Sequence, residues 1–132
     1  MVVDTSILVA IVFGEPDAEV FKLALRSAAP GTIVMSAVTA VEAAMVVEAR
    51  HGADGARDLE ALISTLSIRV EAVNDAQAGV AKEAWSRFGK GRHPAGLNLG
   101  DLFPYALART TGDSLLFKGD DFNRTDVRSA LT

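Results

Sequence analysis

Residues 1–13 of the chain read MVVDTSILVAIVF. A short apolar run ends at Asp4, a Thr-Ser pair follows, and a second apolar run occupies residues 7–13. This order predicts a buried β-strand, a turn and a short helix. An acidic side chain is thereby placed directly after a strand. The remainder of the fold can be worked out from this first unit.

The same alternation of short apolar runs and longer helical patterns continues along the chain. Strands that are joined by helices form parallel sheets with helices on both faces. The sequence therefore predicts the α/β class and a single three-layer αβα domain over residues 1–132, with a mainly parallel central sheet. Further strands are expected at residues 32–35, 68–72 and 114–117, and further helices at residues 17–29, 36–51, 54–66, 75–88 and 101–111.

Several local signals set expectations for the helices. Residues 36–51 are apolar almost all round, which predicts a helix buried on most of its surface, with Ser36 as its N-cap and Gly52 as its end. Asp54 is expected to cap the next helix, and Pro16 to occupy a first helical position. A loop is expected at residues 89–96, and a polar tail after the last strand.

Composition limits the classes of protein to consider. The chain has 132 residues with 49% apolar and 23% charged residues, which is typical of one folded domain. Cysteine is absent, which excludes disulfides, thiolate zinc sites and cysteine nucleophiles and favours a reducing cytoplasm. The apolar run at residues 7–13 is too short to span a membrane, and residues 1–4 lack a basic signal-peptide region. We therefore expect a cytoplasmic protein.

Acidic residues follow the predicted strands. Open parallel sheets bind ligands beyond the carboxyl ends of their strands. Asp4 follows the first strand, Glu42 lies two turns into the helix after the second, and Asp101 opens a helix, while Asp120 and Asp121 follow the last strand. The fold would bring these acids to one edge of the sheet.

Each acid also has a purely structural interpretation. Asp4 and Asp101 are both suited to helix capping, and Asn98 is an alternative cap for the second of these helices. Glu42 has no basic neighbour one helical turn away, so a long-range salt bridge or a protonated, hydrogen-bonded carboxyl would account for it. Asp120 and Asp121 could form a solvated turn.

Taken together, the acids indicate a hard divalent cation. Mg²⁺ and Mn²⁺ prefer oxygen ligands, so a ring of carboxylates suits them. His51 and His93 have no neighbours at zinc-ligand spacing, so zinc is disfavoured. The net charge of −4 argues against a protein that coats nucleic acid, but not against an enzyme that meets phosphate through a metal.

Four segments resemble the PIN-domain ribonucleases, specifically the VapC toxins of bacterial toxin–antitoxin pairs. They are DTSI from Asp4, SAVTAVEAAM from Ser36, GLNLGDLFPYALA from Gly96 and LLFKGDDF from Leu115. The resemblance extends over essentially the whole chain, in order. It implies a PIN domain over residues 1–132 and an endoribonuclease that cleaves structured RNA, tRNA foremost, with Mg²⁺, or Mn²⁺ as a substitute, activating water.

The resemblance also implies the site residues. Asp4, Glu42 and Asp101 fall on three family acids and are expected to be catalytic metal ligands. A fourth family acid would fall on Gly119, so Asp120 is taken as the substitute and Asp121 as the second choice. Supporting roles are expected for Ser6, Asn98 and Asp121.

Substrate and partners follow from the same comparison. A locally basic stretch could follow the RNA backbone or could equally be a flexible, solvated loop; it contains Lys82, Arg87, Lys90, Arg92 and His93. Trp85 and Phe88 in this stretch are expected to be core residues of their helix. The family resemblance implies a VapB-type antitoxin whose segment occupies the groove near the acids, and a homodimer. The apolar helices 18–29 and 53–66 could supply such surfaces, or could be used entirely in the core.

Three alternatives remain at this stage. A phospho-receiver module has similar length and acids at strand ends, but it would need an acid pair after the first strand, where Thr5 and Ser6 follow Asp4. A haloacid-dehalogenase phosphatase would need a second Asp at Ser6. A PIN fold that only binds RNA or protein would not need to keep all three matching acids.

Overall fold

A computed structural model describes residues 1–131. The strands are β1 (Val2–Val3), β2 (Val34–Ser36), β3 (Arg69–Glu71) and β4 (Leu115–Leu116). The helices are α1 (Thr5–Val12), α2 (Ala18–Ser27), α3 (Ala37–Thr65), α4 (Asp75–Phe88) and α5 (Leu99–Thr111), followed by a short 3-10 helix (Phe122–Arg124). The predicted alternation of strands and helices is confirmed.

The described strands form one parallel sheet in the order β3, β2, β1, β4. Val2 is paired with Val34 on one side and with Leu115 on the other. Because all four strands run in the same direction, their carboxyl ends meet at one edge of the sheet. That edge carries Asp4, and the first turns of α1 and α3 begin there.

Alternate strand residues build the two hydrophobic layers. Val2, Val34 and Leu115 pack with α4 and α5, whereas Val3 and Leu116 pack with α1, α2 and α3. Successive side chains in a strand point to opposite faces, so a two-residue strand contributes to both layers. This arrangement is the predicted αβα sandwich.

Helix α3 breaks where the sequence predicted a helix end. Gly52 has φ +60° and ψ −145°, which is not helical, so the predicted break is confirmed, although no loop separates the two helical segments. Asp54 lies in the second segment, where it forms an ion pair with Arg57. The expected burial is wrong, because Val41 and Met45 are 60% and 66% exposed.

Three further boundaries shift. Pro16 precedes the N-cap Asp17 of α2 and is not its first helical residue. Helix α5 begins at Leu99, so Pro104 lies beyond its first turn, where its ring nitrogen cannot donate to the carbonyl of Gly100. β3 covers Arg69–Glu71, which is shorter than the predicted 68–72, and it is an edge strand with Val70 52% exposed.

The polar tail is part of the sheet edge. The backbone N–H of Leu115 donates to the carbonyl of Arg128, and the N–H of Ala130 donates back to Leu115, both at 2.9 Å. Residue 129 is thus bridged in parallel to β4. Pairing of this kind protects an edge strand from other chains. No helix within residues 1–131 is long and apolar enough to cross a membrane.

Candidate active site

Asp4 lies at the carboxyl end of β1 and is the N-cap of α1. Its carboxylate accepts hydrogen bonds from the backbone N–H of Ser6 at 3.1 Å and from the Ser6 hydroxyl at 2.6 Å. The side chain is buried, with only 5% exposure. Burial raises the pKa of Asp4 above its ordinary value; the bonds from Ser6 lower it, and the charge of Glu42 raises it further. The capping interpretation is correct, but capping leaves this carboxyl poorly compensated.

Ser6 connects two strand ends. Its hydroxyl donates to Asp4 and also accepts a hydrogen bond from the backbone N–H of Lys118 at 3.0 Å. The Lys118 ammonium forms ion pairs with Glu15 and Asp17. Ser6 therefore ties the loop after β4 to the first turn of α1, which agrees with the supporting role expected for it.

Glu42 approaches α1 and α5 at once. Its Oε1 accepts a hydrogen bond of 2.5 Å from the Thr5 hydroxyl, 37 positions earlier in the chain. Its Oε2 lies so close to Gly100 that a β-carbon at that position would overlap it. None of the ion pairs found in residues 1–131 includes Glu42, which argues against the salt-bridge interpretation.

Asp101 is the third residue of α5 and forms a capping box with Asn98. The Asn98 side chain accepts from the Asp101 N–H, and the Asp101 carboxylate accepts from the Asn98 N–H, both at 3.0 Å. The pKa of Asp101 is nevertheless raised to about 6. Burial is the largest cause; the Asn98 N–H lowers the pKa, and the charges of Asp4, Glu42 and Asp121 raise it.

The two acids after β4 have different surroundings. The exposed Asp120 carboxylate accepts from Asn123 at 3.3 Å and pairs with Arg124 at 3.2 Å, and these two partners lower its pKa. Asp121 is also exposed, but its charge contributes to the raised pKa of Asp101. Asp121 is therefore electrostatically connected to the other acids, whereas Asp120 is neutralised by its own neighbour.

We call Asp4, Glu42 and Asp101 the acid site. Helix N-termini carry partial positive charge, which explains how the fold tolerates three neighbouring acids. Asp4 caps α1, Asp101 is in the first turn of α5, and Glu42 touches that turn at Gly100. Two of the three carboxyls still have raised pKa values.

A hard cation suits this donor set. All the donors are carboxylate or hydroxyl oxygens, and a bound cation would relieve the repulsion that raises the pKa of Asp4 and Asp101. As arranged within residues 1–131, no three acidic or histidine side chains already converge closely enough to form a complete ligand cluster.

The predicted basic stretch is divided by the structure. Arg87 pairs with Asp126, at 3.4 Å, on the outer face of α4 and α5. Arg92 lies over the Trp85 ring, with its guanidinium carbon 4.1 Å from the centroid. Phe88 is buried as predicted, but Trp85 is 42% exposed, so the expectation that both aromatics belong to the core is wrong for Trp85.

The remaining predicted cations and both histidines lie apart from any ligand cluster. Lys82 and Lys90 are exposed. His51 packs against Phe13, and His93 accepts a hydrogen bond from the backbone N–H of Ala95 at 3.0 Å. The histidines are thus engaged in packing and loop structure.

Sequence reasoning missed Thr5 and Gly100. Both lie beside residues that were singled out, in the segments DTSI and NLGD. A hydroxyl next to the first acid and a glycine before the third were the available signals. Their role depends on Glu42, which is distant in the chain, so neither signal could be interpreted locally.

Comparisons with known proteins cover nearly the whole chain. The PIN domain family matches residues 1–128. Ribonuclease VapC30 of Mycobacterium tuberculosis is 46% identical over 127 residues, which are 96% of this chain and 95% of that protein. Ribonuclease VapC of Mycolicibacterium smegmatis is 48% identical over 96% of this chain and 97% of its own length.

Solved structures share the fold. The crystal structure of Mycobacterium tuberculosis VapC20, described as a sarcin-ricin loop cleaving toxin, has a TM-score of 0.78 and 21% identity, covering 96% of this chain and 95% of that one. A toxin–antitoxin complex from Klebsiella pneumoniae has a TM-score of 0.68 and 20% identity, covering 92% and 88%. The phospho-receiver and phosphatase alternatives receive no support. The chain belongs to the PIN domain family and, within it, to the VapC ribonucleases.

Proposed function

We propose that this VapC ribonuclease is the toxin of a toxin–antitoxin pair and cleaves RNA with a divalent cation, Mg²⁺ or Mn²⁺, held at the acid site. One observation carries the proposal. Asp4, Glu42 and Asp101 interact electrostatically at the carboxyl edge of the sheet; the pKa values of Asp4 and Asp101 are raised, and none of the described ion pairs includes Glu42. Acids without a balancing positive charge, at the edge of the sheet where ligands bind, support a cation-binding site.

The residues would divide the work as follows. Asp4, Glu42 and Asp101 hold the cation, Ser6 fixes the Asp4 carboxylate, and Asn98 fixes Asp101 through the capping box. When bound, the cation supplies charge stabilisation at the scissile phosphate and makes water a better nucleophile. The chain itself then needs no nucleophilic side chain, which agrees with the absence of cysteine.

For the fourth acid we propose Asp121 ahead of Asp120. The support is electrostatic: Asp121 raises the pKa of Asp101, whereas Asp120 is engaged by Arg124 and Asn123. Release of Asp120 from these partners would be needed before it could bind a cation. The sequence order of preference is thus reversed.

We propose that the RNA backbone follows the exposed cations of α4 and the loop after it. Lys82, Lys90 and Arg92 are exposed, and the Trp85 ring beneath Arg92 offers a surface for a base. Arg87 is less suited, because it pairs with Asp126. A structured RNA is the proposed substrate, tRNA first; the ribosomal loop named for VapC20 is the competing target.

We propose a VapB-type antitoxin and a homodimer as protein partners. An apolar groove lies directly beside the acid site and is lined by Glu42, Asn98 and Gly100 together with exposed apolar side chains, namely Val41, Met45, Val46 and Leu99. Exposed apolar surface of this kind is typical of protein interfaces. An antitoxin segment in this groove would cover the acids, and the similar Klebsiella pneumoniae fold was solved as a toxin–antitoxin complex.

Cleavage of purified total RNA tests the enzymatic proposal. The wild-type chain should produce discrete fragments with Mg²⁺ or Mn²⁺ and none with EDTA, and Asp4→Asn and Asp101→Asn should produce none. Asp58→Asn, an exposed acid on α3 outside the acid site, is the matched control and should cut normally. Equal cutting in EDTA, or by both acid-site variants, would reject the metal mechanism. Sequencing of the cut ends would distinguish tRNA from ribosomal RNA.

A further inference from the structure

Thr5 holds one oxygen of Glu42. The Thr5 side chain is 9% exposed, at the first position of α1, and its hydroxyl donates to Glu42 Oε1 at 2.5 Å. This bond joins α1 to α3 next to Asp4. A hydrogen bond to a carboxylate is charge-assisted and directional, so it restrains the rotation of the carboxyl group.

Gly100 makes room for the other oxygen. A β-carbon built on Gly100 would overlap Glu42 Oε2 and lie 2.7 Å from Cδ and 2.9 Å from Oε1. Gly100 is helical and has no left-handed backbone angle, so its backbone does not require glycine. A glycine inside a helix makes the helix less stable than an alanine at the same position would. The close approach of Glu42 accounts for a residue that helix stability alone would disfavour.

The two contacts act on the same carboxylate group, that of Glu42. Thr5 is bonded to Oε1 while Gly100 admits Oε2 against the first turn of α5, next to Asp101. That turn carries the positive end of the helix dipole, which favours a carboxylate there. Without either contact, the flexible Glu42 side chain is free to turn toward the apolar groove beside it, which it also lines.

We infer that Thr5 and Gly100 are positioning residues: they hold the Glu42 carboxylate between the first turns of α1 and α5, in the orientation required to share a divalent cation with Asp4 and Asp101. The inference rests on the proposed function, in which Glu42 is a metal ligand. It adds that the hydroxyl at position 5 and the missing side chain at position 100 set the affinity of the acid site.

Gly100→Ala tests the geometry without RNA. The added methyl must displace the end of a flexible side chain, so the fold should persist, and the metal-free melting temperature should equal or exceed that of the wild type because alanine favours helix. Affinity for Mn²⁺ alone, measured by calorimetry, should fall about 10- to 100-fold, as for other residues that orient metal ligands. Gly79→Ala is the matched control, since Gly79 is helical in α4 and has open space around it.

Thr5→Val and Thr5→Ser test the hydroxyl. Valine keeps the shape of threonine and removes the bond to Glu42, so Mn²⁺ affinity should fall, whereas serine keeps a donor and should restore it. RNA cleavage by Thr5→Val should be recovered at high Mn²⁺. Adding Gly100→Ala to Glu42→Gln should cause little further loss, since both changes act on the same carboxylate.

The possible results distinguish the positioning role of Thr5 and Gly100 from the proposed function. If the wild type binds Mn²⁺ and cuts RNA but Gly100→Ala and Thr5→Val match it, the positioning role is rejected and the proposed function stands. If the wild type neither binds Mn²⁺ nor cuts RNA, the proposed function fails and the positioning role fails with it. Loss of Mn²⁺ affinity in Gly79→Ala would show that any glycine substitution acts through the fold, which also overturns the inference.

Discussion

The three carboxylates of the acid site and the carboxylate of Asp126 have opposite surroundings. The acid site combines Asp4, Glu42 and Asp101 without a neighbouring cation to balance them in the described ion pairs. On the outer face of α4 and α5, the single carboxylate of Asp126 accepts from the Tyr105 hydroxyl at 2.5 Å and lies 3.4 Å from Arg87 and 3.7 Å from Arg109. We call these four residues the Asp126 cluster.

The pKa values follow this difference. In the Asp126 cluster, burial raises the pKa of Asp126, but the Tyr105 hydroxyl and the two arginines outweigh it, and the pKa lies below its ordinary value. At the acid site, burial and like charges raise the pKa of Asp101 to about 6. The structural carboxylate of Asp126 is thus balanced by the hydroxyl and the two guanidinium groups around it. The raised pKa values at the acid site support the proposal that a cation binds there.

The largest expected difference concerns catalysis. Asp101→Asn should lower RNA cleavage by about 10³-fold, because a metal ligand contributes several kcal/mol of transition-state stabilisation. Asp126→Asn should leave the cleavage rate unchanged and instead lower the free energy of unfolding by about 1 kcal/mol, a figure reduced for partial exposure. Single-turnover cleavage and urea denaturation would measure both. A comparable loss of cleavage in Asp126→Asn would abolish the distinction between the two groups.

A divalent cation should stabilise the folded protein through the acid site and not through the Asp126 cluster. Mg²⁺ at about 100 times its dissociation constant should add about 2.7 kcal/mol to the free energy of unfolding, because it binds the folded state. Thermal unfolding with increasing Mg²⁺ would show this as a rise in melting temperature. Asp126→Asn should keep the rise and Asp101→Asn should lose most of it. A melting temperature independent of Mg²⁺ would contradict a metal role for the acid site.

The pH dependence of stability should also differ. The folded pKa of Asp101 is raised, so between about pH 4 and pH 6 the folded state binds more protons than the unfolded state, and this residue makes stability fall as pH rises. The lowered pKa of Asp126 has the opposite sign: its contribution is present above its unfolded pKa and is lost as pH falls through the lower folded pKa.

Melting temperatures of metal-free protein at several pH values would separate these contributions. Relative to Asp101→Asn, the wild type should lose stability from pH 4 to pH 6, and excess Mg²⁺ should remove that loss. Relative to Asp126→Asn, the wild type should lose stability only as the pH falls below the unfolded pKa of Asp126. Parallel curves for wild type and Asp101→Asn would show that this carboxyl is not destabilised in the folded state.

The smallest expected effect separates the two adjacent acids after β4. Asp121→Asn should lower cleavage at limiting Mg²⁺ by about tenfold, less than loss of Asp101, because this exposed acid is the smallest contributor to the raised pKa of Asp101. Asp120→Asn should leave cleavage unchanged, since Arg124 and Asn123 already engage this carboxylate. Cleavage rates across a Mg²⁺ series would measure the pair. The reverse order of effects would restore Asp120 as the fourth acid.

Local sequence signals predicted much of this molecule. Ser36 caps α3, and the carboxylate that follows β1 caps α1, as their residue types and positions indicated. Helix α4 has the predicted bounds, 75–88. These features depend on contacts within about four residues, so the chain encodes them directly. The electrostatic coupling of Asp4, Glu42 and Asp101 agrees with one further rule, that parallel strands share a carboxyl edge.

Other features escaped local reasoning because they depend on packing between distant segments. The exposure of Val41 and Met45 depends on which face of α3 turns toward α1, and the pairing of residues 128–130 with β4 depends on an edge that exists only in the assembled sheet. The sequence of an apolar helix does not show whether its apolar side chains are buried in the core or exposed on the surface.

The sequence by itself determined the α/β class, the parallel order of strands and helices, and three acids at strand ends and helix starts, because periodicity, capping and turn chemistry act over a few residues. Only the tertiary structure decided the surroundings of each acid. It paired Thr5 with Glu42 and placed Gly100 against the same carboxylate. Those contacts depend on how helices rotate and pack against one another, which short-range patterns leave open.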